Sequence, residues 1–155
     1  MSPVWAADYG ILYRAWDYWR SGGSCGIWKS SSGMTLAGGE GWTPPALIVG
    51  DNAVPTDTKG TSLIYMTTAT GNWDVYITSI SGGAGTNITN NSADDGLGSI
   101  SPDGKWIAFV SNRDGGWGVW VAPSSGGTAQ RLPIDIPGWI GSYGGWATER
   151  ISWGP

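Results

Sequence analysis

The chain contains no histidine, one cysteine, one phenylalanine and only eight lysines and arginines among its 155 residues. Each scarcity closes off a class of function. Without histidine, the commonest general base and the commonest transition-metal ligand are both missing. Cys25 alone forms no intrachain disulfide and no cysteine-rich metal site. A net charge of −4 with so few cations argues against nucleic acid, whose phosphates are bound by clustered Lys and Arg. Apolar runs such as Ala46–Val49 and Trp106–Val110 are far too short to span a bilayer, so no membrane insertion is expected. Met1–Gly10 lacks the cationic start and apolar stretch of a secretory signal. Helical periodicity is missing as well, because glycines interrupt nearly every window.

What the chain does have is 27 glycines and 12 tryptophans. Glycines with bulky aromatics suggest short strands joined by tight turns, with Trp packed between sheets. A repeat organises them. Leu63–Met66, a turn at Ala69–Asn72 and Trp73–Ile77 recur as Ile107–Val110, a turn at Asn112–Gly115 and Trp117–Val121. Trp73 and Trp117 are 44 residues apart, as are Tyr76 and Trp120. Each copy then reaches a second turn, Ser81-Gly82-Gly83 or Ser125-Gly126-Gly127, and a polar strand ending near Ile88 or Leu132. A looser copy lies upstream, with Ile11–Tyr13 as one strand, Asp17–Ser24 as a long hairpin loop, Gly26–Lys29 as the next strand and Ser32-Gly33 as its turn. Ile151–Pro155 resembles Ile100–Gly104, as if another unit began there.

Each unit reads as four short antiparallel strands, and tandem four-stranded sheets of about 44 residues are the signature of a β-propeller. The expected fold is therefore all-β: blade 1 over about 1–52, blade 2 over about 53–98, blade 3 over about 99–148, and the first strand of a next or shared blade at 149–155. Asp103-Gly104 and Asp114-Gly115 supply tight turns, since Gly accepts positive φ. Pro44 and Pro45, or Pro133 and Pro137, are expected between units, where proline removes no ladder hydrogen bond.

Ser101-Pro102-Asp103-Gly104-Lys105-Trp106-Ile107-Ala108-Phe109-Val110-Ser111-Asn112-Arg113-Asp114-Gly115 closely resembles the TolB-like (PD40, WD40-like) repeat. That family has a Ser-Pro-Asp-Gly turn, an Ile-Ala-Phe strand and a Ser-x-Arg-Asp-Gly turn. The match is specific over about 87–132 and fades on both sides: blade 2 has Lys59-Gly60 for Asp-Gly, and Thr68–Gly71 for the Arg-containing turn. The resemblance marks Ser101, Pro102, Asp103, Gly104, Arg113, Asp114 and Gly115 as structural motif residues. It also implies six-bladed rings, a scaffold that binds proteins, and a periplasmic or extracellular setting. Three blades leave two sheet faces open, a hazard in isolation. Either the chain is a piece of a longer one, or two copies form a homodimer that closes one ring.

Chemistry is sparse. Gly22-Gly23-Ser24-Cys25-Gly26 matches the G-x-S-x-G nucleophile pattern, but with no histidine as base it reads as a loop entering a strand. No catalytic residue, metal site or cofactor is assigned. Asn90, Asn91, Ser92, Asp94 and Asp95 form an oxygen-rich stretch without calcium-loop spacing, read as a solvated loop with Asx turns. Asn87-Ile88-Thr89 and Asn90-Asn91-Ser92 match the N-glycosylation pattern. Trp28, Trp73, Trp106, Trp117 and Trp120 fall on repeat strands as packing residues. Trp42, Trp139 and Trp146 follow glycine in connections, where an indole face serves a glycan or a protein partner. The leading expectation is a non-catalytic binding scaffold that completes its ring by self-association. A glycan-binding propeller is the first alternative, and a propeller fragment of a larger hydrolase or peptidase is the second.

Overall fold

Twelve strands and no helix make up the regular structure of the computed structural model, which describes residues 3–7, 10–16, 25–30, 45–136 and 149–154. The first sheet holds β1 (Val4–Trp5), β2 (Ile11–Trp16), β3 (Cys25–Lys29) and β4 (Ala46–Val49). The second holds β5 (Val54–Lys59), β6 (Ser62–Thr67), β7 (Asp74–Ser79) and β8 (Thr86–Asn87). The third holds β9 (Asp95–Ile100), β10 (Trp106–Ser111), β11 (Gly118–Pro123) and β12 (Gln130–Asp135). All three are antiparallel meanders in chain order, as the repeat requires. Gly104 (φ 76°) and Gly115 (φ 83°) close the first two turns of the third sheet in the left-handed region that other residues avoid.

Three details depart from the sequence reading. β9 pairs with β10, so the second and third sheets divide between Asn87 and Asp95, a few residues ahead of the expected boundary. Pro133 lies inside β12 and not between units; β12 is an outer edge strand whose register shifts against β11, so a missing N–H breaks no regular ladder. Residues 149–154 form no strand, since a ladder needs a neighbour to pair with. That segment is instead tied down by side chains. The Trp153 indole N–H donates to Ser99 O at 3.0 Å, and Arg150 donates to Pro3 O at 3.3 Å.

Alternation along the strands stacks the sheets. Successive side chains of a strand point to opposite faces, so adjacent residues of β6 serve different junctions. Leu63 and Tyr65 are buried with Val4, Leu12, Ile27 and Ile80 against the first sheet. Ile64 is buried with Val75, Ile100, Ile107, Phe109 and Trp120 against the third. The middle sheet is covered on both faces, which is why β6 is apolar at four consecutive positions, each worth about 1.5–3 kcal/mol when fully buried.

The second junction is tight enough to require a glycine. β9 is buried along its whole length, and a bulge opposite Ala108–Val110 puts Leu97 at φ 56°. A Cβ on Gly98 would sit 2.5 Å from Val75 Cγ1 and 2.9 Å from Ile64 Cγ2. Gly116, in the exposed turn after Asp114-Gly115, has nothing within 4 Å of its Cβ position. Gly98→Ala is therefore expected to cost about 1–3 kcal/mol by overpacking, and Gly116→Ala less than about 0.5 kcal/mol. Urea unfolding of the two variants checks the contrast.

Candidate functional site

The motif residues build turns. Gly104 N–H donates to Ser101 O at 2.9 Å, a β-turn whose second position is Pro102, where proline presets φ. Ser101 Oγ donates to Asp103 Oδ1 at 2.6 Å and accepts from Trp106 N–H at 3.0 Å. Asp103 Oδ1 also accepts from Lys105 N–H at 3.1 Å. The Ser101 hydroxyl, followed by that amide, holds the Asp103 carboxyl below its ordinary range.

The second turn is anchored inside the protein. Arg113 donates from Nη2 to Asp95 Oδ1 at 3.0 Å and from Nε to Ser111 Oγ at 2.9 Å. Its guanidinium lies 4.7 Å from the Trp120 ring centroid and 5.2 Å from that of Phe109, within cation–π range. Asp95 is fully buried, and desolvation pushes its carboxyl above the usual range against the opposing pull of Ser111 and Arg113. The reading of 90–95 as a solvated loop is thus corrected at its last residue: Asp95 opens β9 and is buried because Arg113 neutralises it. The Asx turns are present, with Asn87 Oδ1 accepting from Asn90 N–H at 2.8 Å and Asn91 Oδ1 from Ala93 N–H at 2.9 Å.

The middle sheet has no arginine at the matching place and uses neutral donors. Asp74, also buried, accepts from Thr70 Oγ1 (2.5 Å), Asn87 Nδ2 (3.1 Å) and Thr89 Oγ1 (2.8 Å). Asn87 Nδ2 also reaches Tyr76 Oη at 3.1 Å, whereas Asn90 is exposed. Nearby, Tyr65 is pushed up to about 12 by burial, then by Tyr76 and Asp51. A third carboxylate crosses between sheets. Asp57 Oδ2, on β5, accepts from Ser99 Oγ at 2.9 Å and Ile100 N–H at 3.0 Å on β9.

Around these anchors three loops join into one rim. Asn72, between β6 and β7, donates to Asn91 O at 2.9 Å and Ala93 O at 2.7 Å between β8 and β9. Asp94 Oδ1 accepts from Trp73 N–H at 3.1 Å, and Asp94 N–H donates to Asn112 Oδ1 at 3.0 Å between β10 and β11. The exposed tips are Thr70, Gly71, Asn90, Asn91, Ser92, Asp114, Gly115 and Gly116. Arg131 lies 3.7 Å from Asp114 and also pairs with Asp135. The rim is polar and rigidly braced across two sheets, as binding loops on a scaffold are.

Trp42, Trp139 and Trp146 lie outside the described residues, as does Ser24 of the nucleophile-like pattern. Cys25 is a half-buried free thiol at the start of β3. Among the described residues no three of His, Cys, Asp and Glu group as metal ligands. Trp120 is buried and Trp28 half-buried, but Trp106 is exposed, because its place in β10 turns it to the face away from the second sheet. Sequence reasoning missed Asn72, Asp74 and Asp57. Asn72 and Asp74 flank Trp73 in the repeat, but nothing local distinguishes them from surface polar residues.

Three stacked four-stranded meanders of this kind are blades of a β-propeller. The comparisons agree on that fold. TolB from Acinetobacter baumannii superposes with a TM-score of 0.63 at 19% identity, over 85% of this chain and 32% of that one. A putative TolB from Agrobacterium tumefaciens gives 0.69 at 21% identity, over 84% of this chain and 45% of that one. A puromycin-hydrolyzing peptidase from Mycobacterium tuberculosis gives 0.56 at 15%, over 77% of this chain and 20% of that one. The chain thus spans less than half the length of each. No protein-family model matches it, and no curated protein sequence matches it.

Removing the arginine should expose what it neutralises. Arg113→Ala leaves a buried carboxylate unpaired and is expected to cost about 3–5 kcal/mol at neutral pH. Losing the cation raises the folded-state pKa of Asp95 further above its unfolded value. The added penalty is therefore full above the folded pKa and vanishes below the unfolded one, at roughly pH 4. Urea unfolding of wild type and variant across acid to neutral pH should show the gap narrowing as pH falls.

Proposed function

We propose that the chain is a non-catalytic propeller module that offers a braced loop rim to a protein partner and completes its ring by self-association. The observation that carries this is the use made of its reactive side chains. Ser101, Asp103, Arg113, Asp95, Asp74 and Asp57 are each engaged in a turn or a joint between sheets. The joined loops of Asn72, Asn91, Ala93, Asp94 and Asn112 meanwhile form a preorganised polar surface, which lowers the ordering cost of binding. Resemblance to TolB-like repeats supports the same reading, and with it a periplasmic or extracellular setting.

A second reading has a specific observation behind it. The likeness to one fifth of a puromycin-hydrolyzing peptidase fits a propeller segment of a larger hydrolase. The glycan reading rests on Trp42, Trp139 and Trp146.

A photo-crosslinking residue placed at Asn91 on the rim, and another at Ser81 in the exposed turn after β7, test the proposal. The rim site should capture a partner that Ser81 does not, and the purified partner should bind Asn72→Ala at least tenfold more weakly than wild type. Equal capture from both sites contradicts the rim. Turnover of peptide anilides or esters by the purified chain contradicts the non-catalytic reading.

A further inference from the structure

The strand registers give each sheet two distinct faces. In the second sheet, Leu63, Tyr65 and Tyr76 point back to the first sheet, and Ile64, Val75 and Ile77 point forward to the third. In the third, Ile107, Phe109 and Trp120 repeat the backward set. In the first, Leu12, Ile27 and Val49 repeat the forward set. Both junctions among the described residues therefore join a forward face of aliphatic residues to a backward face carrying aromatic rings.

Among the described residues, two faces of this kind have no sheet against them. On the backward face of the first sheet, registers Trp5↔Ile11, Tyr13↔Trp28 and Trp28↔Leu47 bring together Trp5, Ile11, Tyr13, Trp28 and Leu47. Here Tyr13 and Trp28 take the places that Tyr65 and Tyr76, or Phe109 and Trp120, hold in the internal junctions. On the forward face of the third sheet, Trp106↔Pro123, Ala108↔Val121 and Val110↔Val119 continue by alternation to Leu132 and Ile134 on β12; Ala108 and Val110 are already buried, so the part that stands open is Trp106 and Ile134. The exposed large apolar side chains among the described residues are Trp5 (70%), Leu47 (42%), Trp106 (42%) and Ile134 (50%). All four fall on these two faces.

We infer that the backward face of the first sheet docks on the forward face of the third sheet of a second copy of this chain, and the reverse, around one two-fold axis. This rests on the self-association proposed above and names the surfaces that perform it. The argument for a second copy is continuity with the junctions already inside the chain. The open faces have the same two opposed characters, one rich in rings and one aliphatic. A contact between unlike faces is head to tail, and it closes only when the rotation across the arc allows.

Analytical ultracentrifugation of the full chain and of two variants, Leu47→Arg on one face and Ile134→Arg on the other, tests this. Both side chains are exposed in the single copy, so the fold should survive; near-UV circular dichroism checks it, and Trp5→Arg replaces Leu47→Arg if that variant unfolds. Wild type should sediment at twice the chain mass and each variant at one chain mass. An equimolar mixture of the variants should recover dimer, because the intact third sheet of one meets the intact first sheet of the other. Wild type at one chain mass overturns self-association itself. A wild-type dimer that either variant leaves unchanged, a mixture that stays monomeric, or wild-type assemblies larger than two overturn the assignment of faces.

Discussion

The structure depends on apolar sheet-on-sheet contact that uses the strands of the middle sheet twice. A β-strand presents alternate residues to opposite sides, so a sheet buried on both faces must be apolar at consecutive positions. β6 satisfies this with Leu63-Ile64-Tyr65-Met66, and β10 turns Ile107 and Phe109 to the second sheet. The middle sheet reaches two neighbours at once, and the order of sheets in space follows the order in sequence. The junction between second and third sheets is tight enough that Gly98 has no room for a Cβ beside Val75 and Ile64.

Polar groups are subordinate to that stacking and finish it. Asp95 is buried at the edge of the second junction and is tolerable because Arg113 reaches it while lying over Trp120 and Phe109. Asp74 meets the same problem with three neutral donors. Asp57 ties the innermost strands β5 and β9 together through Ser99 and Ile100. With these carboxylates committed to the frame, variation is left to the loops, which Asn72 and Asp94 lace into a rim. A frame that holds loops rigidly suits recognition, since few degrees of freedom remain to be frozen on binding.

Much of this was legible in the sequence. The 44-residue offset gave the second and third sheets, and Asp103-Gly104 and Asp114-Gly115 gave the turns of the third. What stayed hidden was set by contacts distant in sequence. Asp94 and Asp95 look alike as neighbours, yet only Asp95 is fully buried, because Arg113, eighteen residues on, neutralises it. Trp106 belongs to an apolar strand but is exposed, since alternation turns it to the open face while Ile107 and Phe109 face the second sheet. Asp57 has no local signal, because its partners Ser99 and Ile100 lie more than forty residues away. Leu97 at positive φ follows from a bulge that no residue type announces.

Alternation is the central claim, and double-mutant cycles across the second junction test it most directly. Ile64 and Leu63 are adjacent in β6 but are assigned to opposite junctions. Ile64→Val combined with Phe109→Leu should show a coupling energy of about 0.5–1 kcal/mol, and Leu63→Ala combined with Phe109→Leu less than about 0.3 kcal/mol. Coupling of Leu63 to Phe109 as strong as that of Ile64 would contradict the account.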